Sequence, residues 1–161
     1  MTAVNRGKRF ELQVRKGFER VKDCSVIRLY DPVGGAVGVR NICDFIVYKY
    51  PYQYLLECKS VHGDRFPLSN ITDTQWDGLC KMLSKPGVVP GVLCWYVDRD
   101  VTVFLPIVYL DKLSKLGVKS VRYDSVLPAW FKVPGAKKRI FYEYDMAKFF
   151  KQVEENIHER V

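Results

Sequence analysis

The sequence predicts a mixed α/β domain with a central sheet covered on both faces. Apolar residues switch from helical spacing to strand-like runs and back, in the order helix, three strands, helix, two strands and more. Two of those runs, Ile42 to Tyr48 and Gln53 to Ser60, are apolar on both faces, as strands sandwiched between helices are. The chain has 161 residues and is 48% hydrophobic, which fits one domain, 1–161, able to bury a core of its own.

The first element runs from about Asn5 to Lys22. Phe10, Val14, Phe18 and Val21 recur at helical spacing while Arg6, Lys8, Arg9, Arg15, Lys16, Arg20 and Lys22 fill the other faces, so the helix is amphipathic and basic. Ser25 to Tyr30 reads as a strand, ended by Asp31-Pro32 and Gly34-Gly35. Ile42 to Tyr48 and Gln53 to Ser60 are joined by only Lys49-Tyr50-Pro51-Tyr52, which makes an antiparallel hairpin the simplest reading. Ser69 to Ile71 leads into a helix with Trp76, Leu79, Cys80 and Leu83 on one face, stopped by Lys85-Pro86-Gly87. Val92 to Val97 and Val101 to Pro106 form a second hairpin turned by Asp98-Arg99-Asp100. Val108 to Leu116 is a short helix closed by Gly117, and Asp145 to Ile157 a C-terminal helix. Between them, Val118 to Tyr144 holds strand-like pieces interrupted by Pro128 and Pro134, and its pattern fixes no elements.

Charge and cysteines narrow the function. Lys and Arg number 26 against 18 acids, a formal net charge of +8, which favours a polyanionic partner, nucleic acid before an anionic membrane surface. Cys24, Cys43, Cys58, Cys80 and Cys94 show no zinc-knuckle spacing, and the two histidines are His62 and His158, so a zinc site is not expected. Several of these cysteines sit in apolar runs as small core residues, which suits a reducing cytoplasm. The N-terminus has no signal-like stretch. The most apolar window, Val88 to Val97, is short and broken by Pro90 and Gly91, so no bilayer-spanning segment is expected.

The first hairpin carries the chemistry. Asp44, Glu57 and Lys59 are charges set inside apolar strands, where they are costly unless paired, liganded or functional. Glu57 and Lys59 are two residues apart and share a strand face. With a symmetric turn between Tyr50 and Pro51, Asp44 lies across from Glu57, at a Cβ separation of roughly 4.5–5.5 Å. Carboxylates that close repel unless a proton or cation sits between them. A hard divalent cation such as Mg²⁺ takes one or two carboxylates plus waters and phosphate. The blander alternative is a salt-bridge triad, which leaves one negative charge uncompensated.

Asp44, Glu57 and Lys59 in this spacing are similar to the PD-(D/E)XK nuclease superfamily. The stretch Phe66-Pro67-Leu68-Ser69-Asn70-Ile71 with Gln75 beyond it resembles the segment that follows the catalytic lysine in RecU-type Holliday junction resolvases. The likeness covers Cys43 to Leu79 and extends faintly to Gly7, Phe10 and Glu11. It implies a restriction-endonuclease-like fold, with a mixed central sheet flanked by helices, and a homodimeric Mg²⁺-dependent endonuclease (Mn²⁺ substituting) that resolves four-way DNA junctions in the cytoplasm of a bacterium or a phage-infected host. It further implies Asp44, Glu57 and the backbone carbonyl of Cys58 as metal ligands, Lys59 as catalytic lysine, and Gln75 and Glu11 as assisting residues. Gln75 also reads as part of a capping box with Thr72, and Glu11 as a helix charge paired with Arg15. Phosphate contacts are expected from Lys8, Arg9, Arg28, Arg40 and Arg65, though Arg28 and Arg40 also read as solvated surface. Lys137-Lys138-Arg139 is either a further contact or a charged turn. RecU-type proteins are longer and carry a stalk, for which only the short, glycine-rich Asp31 to Asn41 is available here. A restriction-like or repair nuclease, or a non-cleaving DNA-binding protein on the same fold, are the alternative readings.

Overall fold

The structure is a computed structural model that describes residues 2–32, 40–125 and 132–157. Helix α1 spans Ala3–Glu19, capped by Thr2, whose hydroxyl accepts the Asn5 N–H. It ends three residues before the sequence suggested, because Arg20 caps it and Asp23 turns the chain in the left-handed region at φ 57°. Strands β1 (Cys24–Arg28), β2 (Phe45–Lys49) and β3 (Tyr52–Val61) follow. Then come β4 (Arg65–Pro67), α2 (Asp73–Lys81), β5 (Val88–Tyr96), β6 (Val101–Pro106) and α3 (Ile107–Lys115). Among its described residues, the segment Val118 to Tyr144 holds three three-residue strands, β7 (Ser120–Arg122), β8 (Gly135–Lys137) and β9 (Tyr142–Tyr144), before α4 (Met146–Ile157).

The principal sheet has the order β1-β2-β3-β5-β6. It is mixed: β1 with β2, β2 with β3 and β5 with β6 are antiparallel, while β3 and β5 run parallel. A parallel pair needs a crossover, and the stretch through β4 and α2 supplies it. β3 is therefore the central strand, and its alternation sorts the core into two layers. Tyr54, Leu56 and Cys58 pack with Phe10, Val14 and Phe18 of α1 and Phe149, Phe150 and Val153 of α4. Leu55 and Val61 pack on the other side with Leu79 of α2 and Ile107 and Leu110 of α3. The same switch repeats at Leu93 against Val92 and Cys94, and at Phe104 against Val103 and Leu105. This is the doubly covered sheet flanked by helices that the apolar hairpin implied. Among the described residues no helix is long and apolar enough to cross a membrane.

Two local expectations change. Leu83 does not share the buried face of α2, because the helix ends at Lys81 and Leu83 falls in a 3-10 turn, 38% exposed. The glycines proposed for a stalk lie outside the described residues; the flanks of that loop are tied together by Asp31, whose Oδ1 accepts from the N–H and Nδ2 of Asn41, both at 3.3 Å.

Candidate active site

The β2–β3 register pairs Phe45 with Leu56 and Lys49 with Tyr52, which sets Asp44, one residue before β2, opposite Glu57. The main chain of Asp44 is held from two sides: its N–H donates to the Leu56 carbonyl at 3.0 Å, and its carbonyl accepts the Leu29 N–H at 2.8 Å. Its side chain is held as well. Oδ2 accepts the Cys58 backbone N–H at 2.8 Å, and Oδ1 lies 3.2 Å from Nη1 of Arg28. Within a strand, a residue's N–H and C=O point to the same neighbour, so the Cys58 carbonyl is directed to the Asp44 side too.

Glu57 is 4% exposed, a carboxylate in the middle of the central strand. Its Oε1 receives Lys59 Nζ at 2.9 Å and Gln75 Nε2 at 2.7 Å. Burial, and secondly the Asp44 charge, push its pKa up to about 7 against the pull of Lys59. Gln75 forms the capping box and also reaches into the cluster. Its Oε1 accepts the Thr72 N–H at 3.0 Å and its own N–H donates to the Thr72 hydroxyl at 3.3 Å, a complete capping box, while its Nε2 is spent on Glu57. The cap thus aims the amide. Gly78 brings α2 down onto the sheet: a Cβ there would collide with the Ile42 side chain, two residues before Asp44.

Glu11 and Arg28 complete the cluster. Glu11 does not pair with Arg15, which takes Glu19 instead at 2.8 Å. Its Oε2 accepts from Nε and Nη2 of Arg28, at 3.0 and 2.6 Å. Burial first, then the Asp44 charge, raise the Glu11 pKa, with Arg28 opposing. Arg28 is not solvated surface. Its side chain is 16% exposed, bridges Glu11 and Asp44, and lies over the rings of Tyr30 and Phe45 at 5.0 and 5.4 Å. A period-2 signal in the sequence pointed there: Cys24, Val26 and Arg28 share the inward face of β1 while Ser25 and Ile27 are exposed. Arg28→Lys keeps the charge but not the fork that spans two carboxylates. It is expected to cost about 1–2 kcal/mol in urea unfolding; an unchanged midpoint would show that the fork is dispensable.

Three carboxyl groups, Glu11, Asp44 and Glu57, therefore face two cations, Arg28 and Lys59, and with all three ionised one negative charge is left over, which a proton on Glu57 or a bound cation would neutralise. Among the described residues no three His, Cys, Asp or Glu side chains form a cage that could hold a metal ion. The donors do fit a hard divalent ion of the kind held by two carboxylates and otherwise by water, a carbonyl and phosphate. Asp44 and Glu57 supply those oxygens with the Cys58 carbonyl directed to the same side. The Cys58 thiol is not a ligand candidate: it belongs to the opposite core layer, and burial, with Asp44 and Glu57 adding, raises its pKa well above the ordinary range. All five cysteines are free.

The structure does not gather the five residues expected to contact phosphate. Arg28 is in the cluster. Lys8, Arg9, Arg40 and Arg65 are exposed, Arg65 donating to the Ser120 hydroxyl at 3.1 Å. Arg9 is two residues from Glu11, hence about 200° around the helix from it, and it lines a groove with Trp95 and Lys138 instead.

No protein-family model and no curated protein matches the sequence. A search of solved structures finds similarity to Hjc from Archaeoglobus fulgidus, a Holliday junction resolvase from an archaeal hyperthermophile, at 17% identity and a TM-score of 0.46, over 63% of this chain and 73% of that one.

Proposed function

We propose that this chain is a metal-dependent DNA endonuclease acting at the Asp44–Glu57–Lys59 cluster, with branched DNA, four-way junctions included, as its substrate. The observation that carries the nuclease reading is the pairing of Asp44 with a buried Glu57 across one hairpin, with Lys59 on the same face and three carboxyl groups set against two cations. A salt-bridge network built for stability alone gains nothing from a third carboxyl whose charge both burial and the neighbouring Asp44 penalise. The branched substrate rests on the resemblance of Phe66 to Ile71 and Gln75 to RecU-type resolvases. Symmetric nicks in a two-fold junction would take two copies of the chain.

Mg²⁺ bound by Asp44, Glu57 and the Cys58 carbonyl would supply Lewis acidity toward a phosphoryl oxygen and toward the attacking water. The chain's own residues do the rest. Arg28 and the Cys58 N–H fix both oxygens of Asp44, so that carboxylate needs no reorganisation on binding. Gln75 and Lys59 orient Glu57. Lys59 sets an ammonium beside the place where negative charge develops on the phosphoryl group. Glu11 holds Arg28 in place through Oε2.

The test is incubation of a synthetic four-way junction, and a duplex of equal phosphate count, with Mg²⁺ and with chelator. Metal-dependent cleavage with symmetric nicks in the junction is expected; no cleavage of either substrate would reject the reading. Calorimetric titration with Mn²⁺ isolates the metal step. Wild type is expected to bind and Asp44→Asn to bind at least about tenfold more weakly, a loss of about 1.4 kcal/mol. Equal affinities would place the metal elsewhere.

A further inference from the structure

Six of the cations that the carboxylate cluster does not use lie on the other side of α1. The β8–β9 hairpin closes there through a tight turn, in which the Lys138 N–H donates to the Phe141 carbonyl at 2.7 Å. Asp100 anchors the hairpin to the sheet, accepting Lys137 Nζ at 2.6 Å and the Trp95 indole N–H at 3.3 Å. Between the hairpin and the outer face of α1 runs a groove, lined by Arg9, Lys138 and Arg139 at one end and by Lys16 and Arg20 at the other. Against six cations with Lys137, its only carboxylates among the described residues are Asp100 and Glu143. Lys137 is matched by Asp100, and Lys138 lies 3.8 Å from Glu143. Arg9, Lys16 and Arg139 have no ion-pair partner among the described residues. At the rim, Ile140 is 72% and Phe141 42% exposed, apolar side chains held out to solvent by a turn that has no core to bury them in.

We infer that this groove is a second DNA-binding surface, which grips phosphates through Arg9, Lys16 and Arg139 and receives an unstacked base on Ile140 and Phe141. Two features choose the occupant. Unpaired cations along a groove answer a phosphate backbone, whose contacts release condensed counterions. Apolar and aromatic side chains between those cations suit an unstacked base, which stacks on or is wedged by such groups. A second copy of the chain fits poorly, because a two-fold contact sets this groove against itself and like charge against like. The inference rests on the reading of the carboxylate cluster as a DNA-cleaving site, and it deepens it. With cutting on one side of α1 and a basic groove on the other, one protomer touches two arms of a branched substrate and only one of a linear duplex.

The test is fluorescence anisotropy with labelled forked DNA and with a duplex of equal phosphate count, in chelator, so that cleavage plays no part. The double variant Lys16→Glu/Arg139→Glu is expected to bind forked DNA at least about tenfold more weakly, with a salt slope smaller by about 2. Ile140→Ser/Phe141→Ser is expected to lose about tenfold on the fork and little on the duplex. All four positions are exposed, and circular dichroism verifies that the variants fold. Unchanged affinity and slope in the charge variant would overturn the inference. So would unchanged DNA affinity accompanied by conversion of a dimer to a monomer in sedimentation, which would make the groove a contact between copies. The two readings fail separately: groove variants that lose DNA in a protein that never cleaves with Mg²⁺ uphold the groove and reject the nuclease, whereas cleavage with unaltered groove binding does the reverse.

Discussion

Lys59→Ala is expected to cleave DNA about 10²–10³ times more slowly than wild type while binding it nearly as tightly. Lys59 Nζ is 2.9 Å from Glu57 Oε1, on the solvent-reaching side of a carboxylate that is otherwise enclosed. A DNA-binding protein of this size makes many phosphate contacts, so losing one cation barely changes ground-state affinity. The same ammonium matters far more in the transition state, where charge builds on the phosphoryl oxygens in a partly dehydrated site. A second route to slow cleavage exists, since Lys59 also helps keep Glu57 ionised. A pH profile separates them. If Lys59 acts only through Glu57, the variant recovers as pH rises well above 7 and Glu57 ionises unaided. If Lys59 acts on the phosphate, the deficit persists across the alkaline range. A variant that cleaves as fast as wild type at every pH would remove Lys59 from the chemistry.

The hairpin register was legible because only four residues join two strands of clear pattern, and so the Asp44, Glu57 and Lys59 juxtaposition followed from counting. The parallel pairing of β3 with β5 was not, since both are continuous apolar runs and such runs carry no direction of their own. The short strands β7, β8 and β9 show in the sequence only as strand-like pieces without bounds, because at three residues each they hold too little alternation and tertiary pairing forms them. Arg28 points inward with the alternation of β1, a signal that a charge at the end of a five-residue strand obscures. Gln75 shows the limit of choosing between roles from sequence. A side-chain amide has separate donor and acceptor ends, and the chain uses the acceptor for the helix cap and the donor for Glu57. Glu11 could not have been matched to Arg28 at all, because the two are joined only by the approach of α1 to β1.

Glu57→Gln is expected to abolish cleavage and yet make the metal-free protein more stable. The carboxyl of Glu57 titrates near 7 in the fold against about 4.5 for an ordinary glutamate, chiefly because burial penalises its charge. Between those values the folded chain binds a proton that the unfolded chain does not, so stability falls as pH rises through the window and the full penalty is present above it. Gln removes that penalty while keeping an oxygen to accept from Lys59 and Gln75. Part of the gain is given back, because Lys59 then lacks its counter-ion. A net stabilisation of about 2 kcal/mol at pH 8, vanishing toward pH 4.5, is the expected size. Urea unfolding in chelator at several pH values measures it. Added Mn²⁺ should stabilise the wild type by mass action and leave the variant unmoved, because an amide is a poor substitute for an anionic ligand to a hard cation. A variant less stable than wild type at pH 8 would mean that Glu57 is held as a satisfied structural ion pair. The residue would then have no functional reason to be charged in the centre of the sheet, and the metal reading would lose its main support.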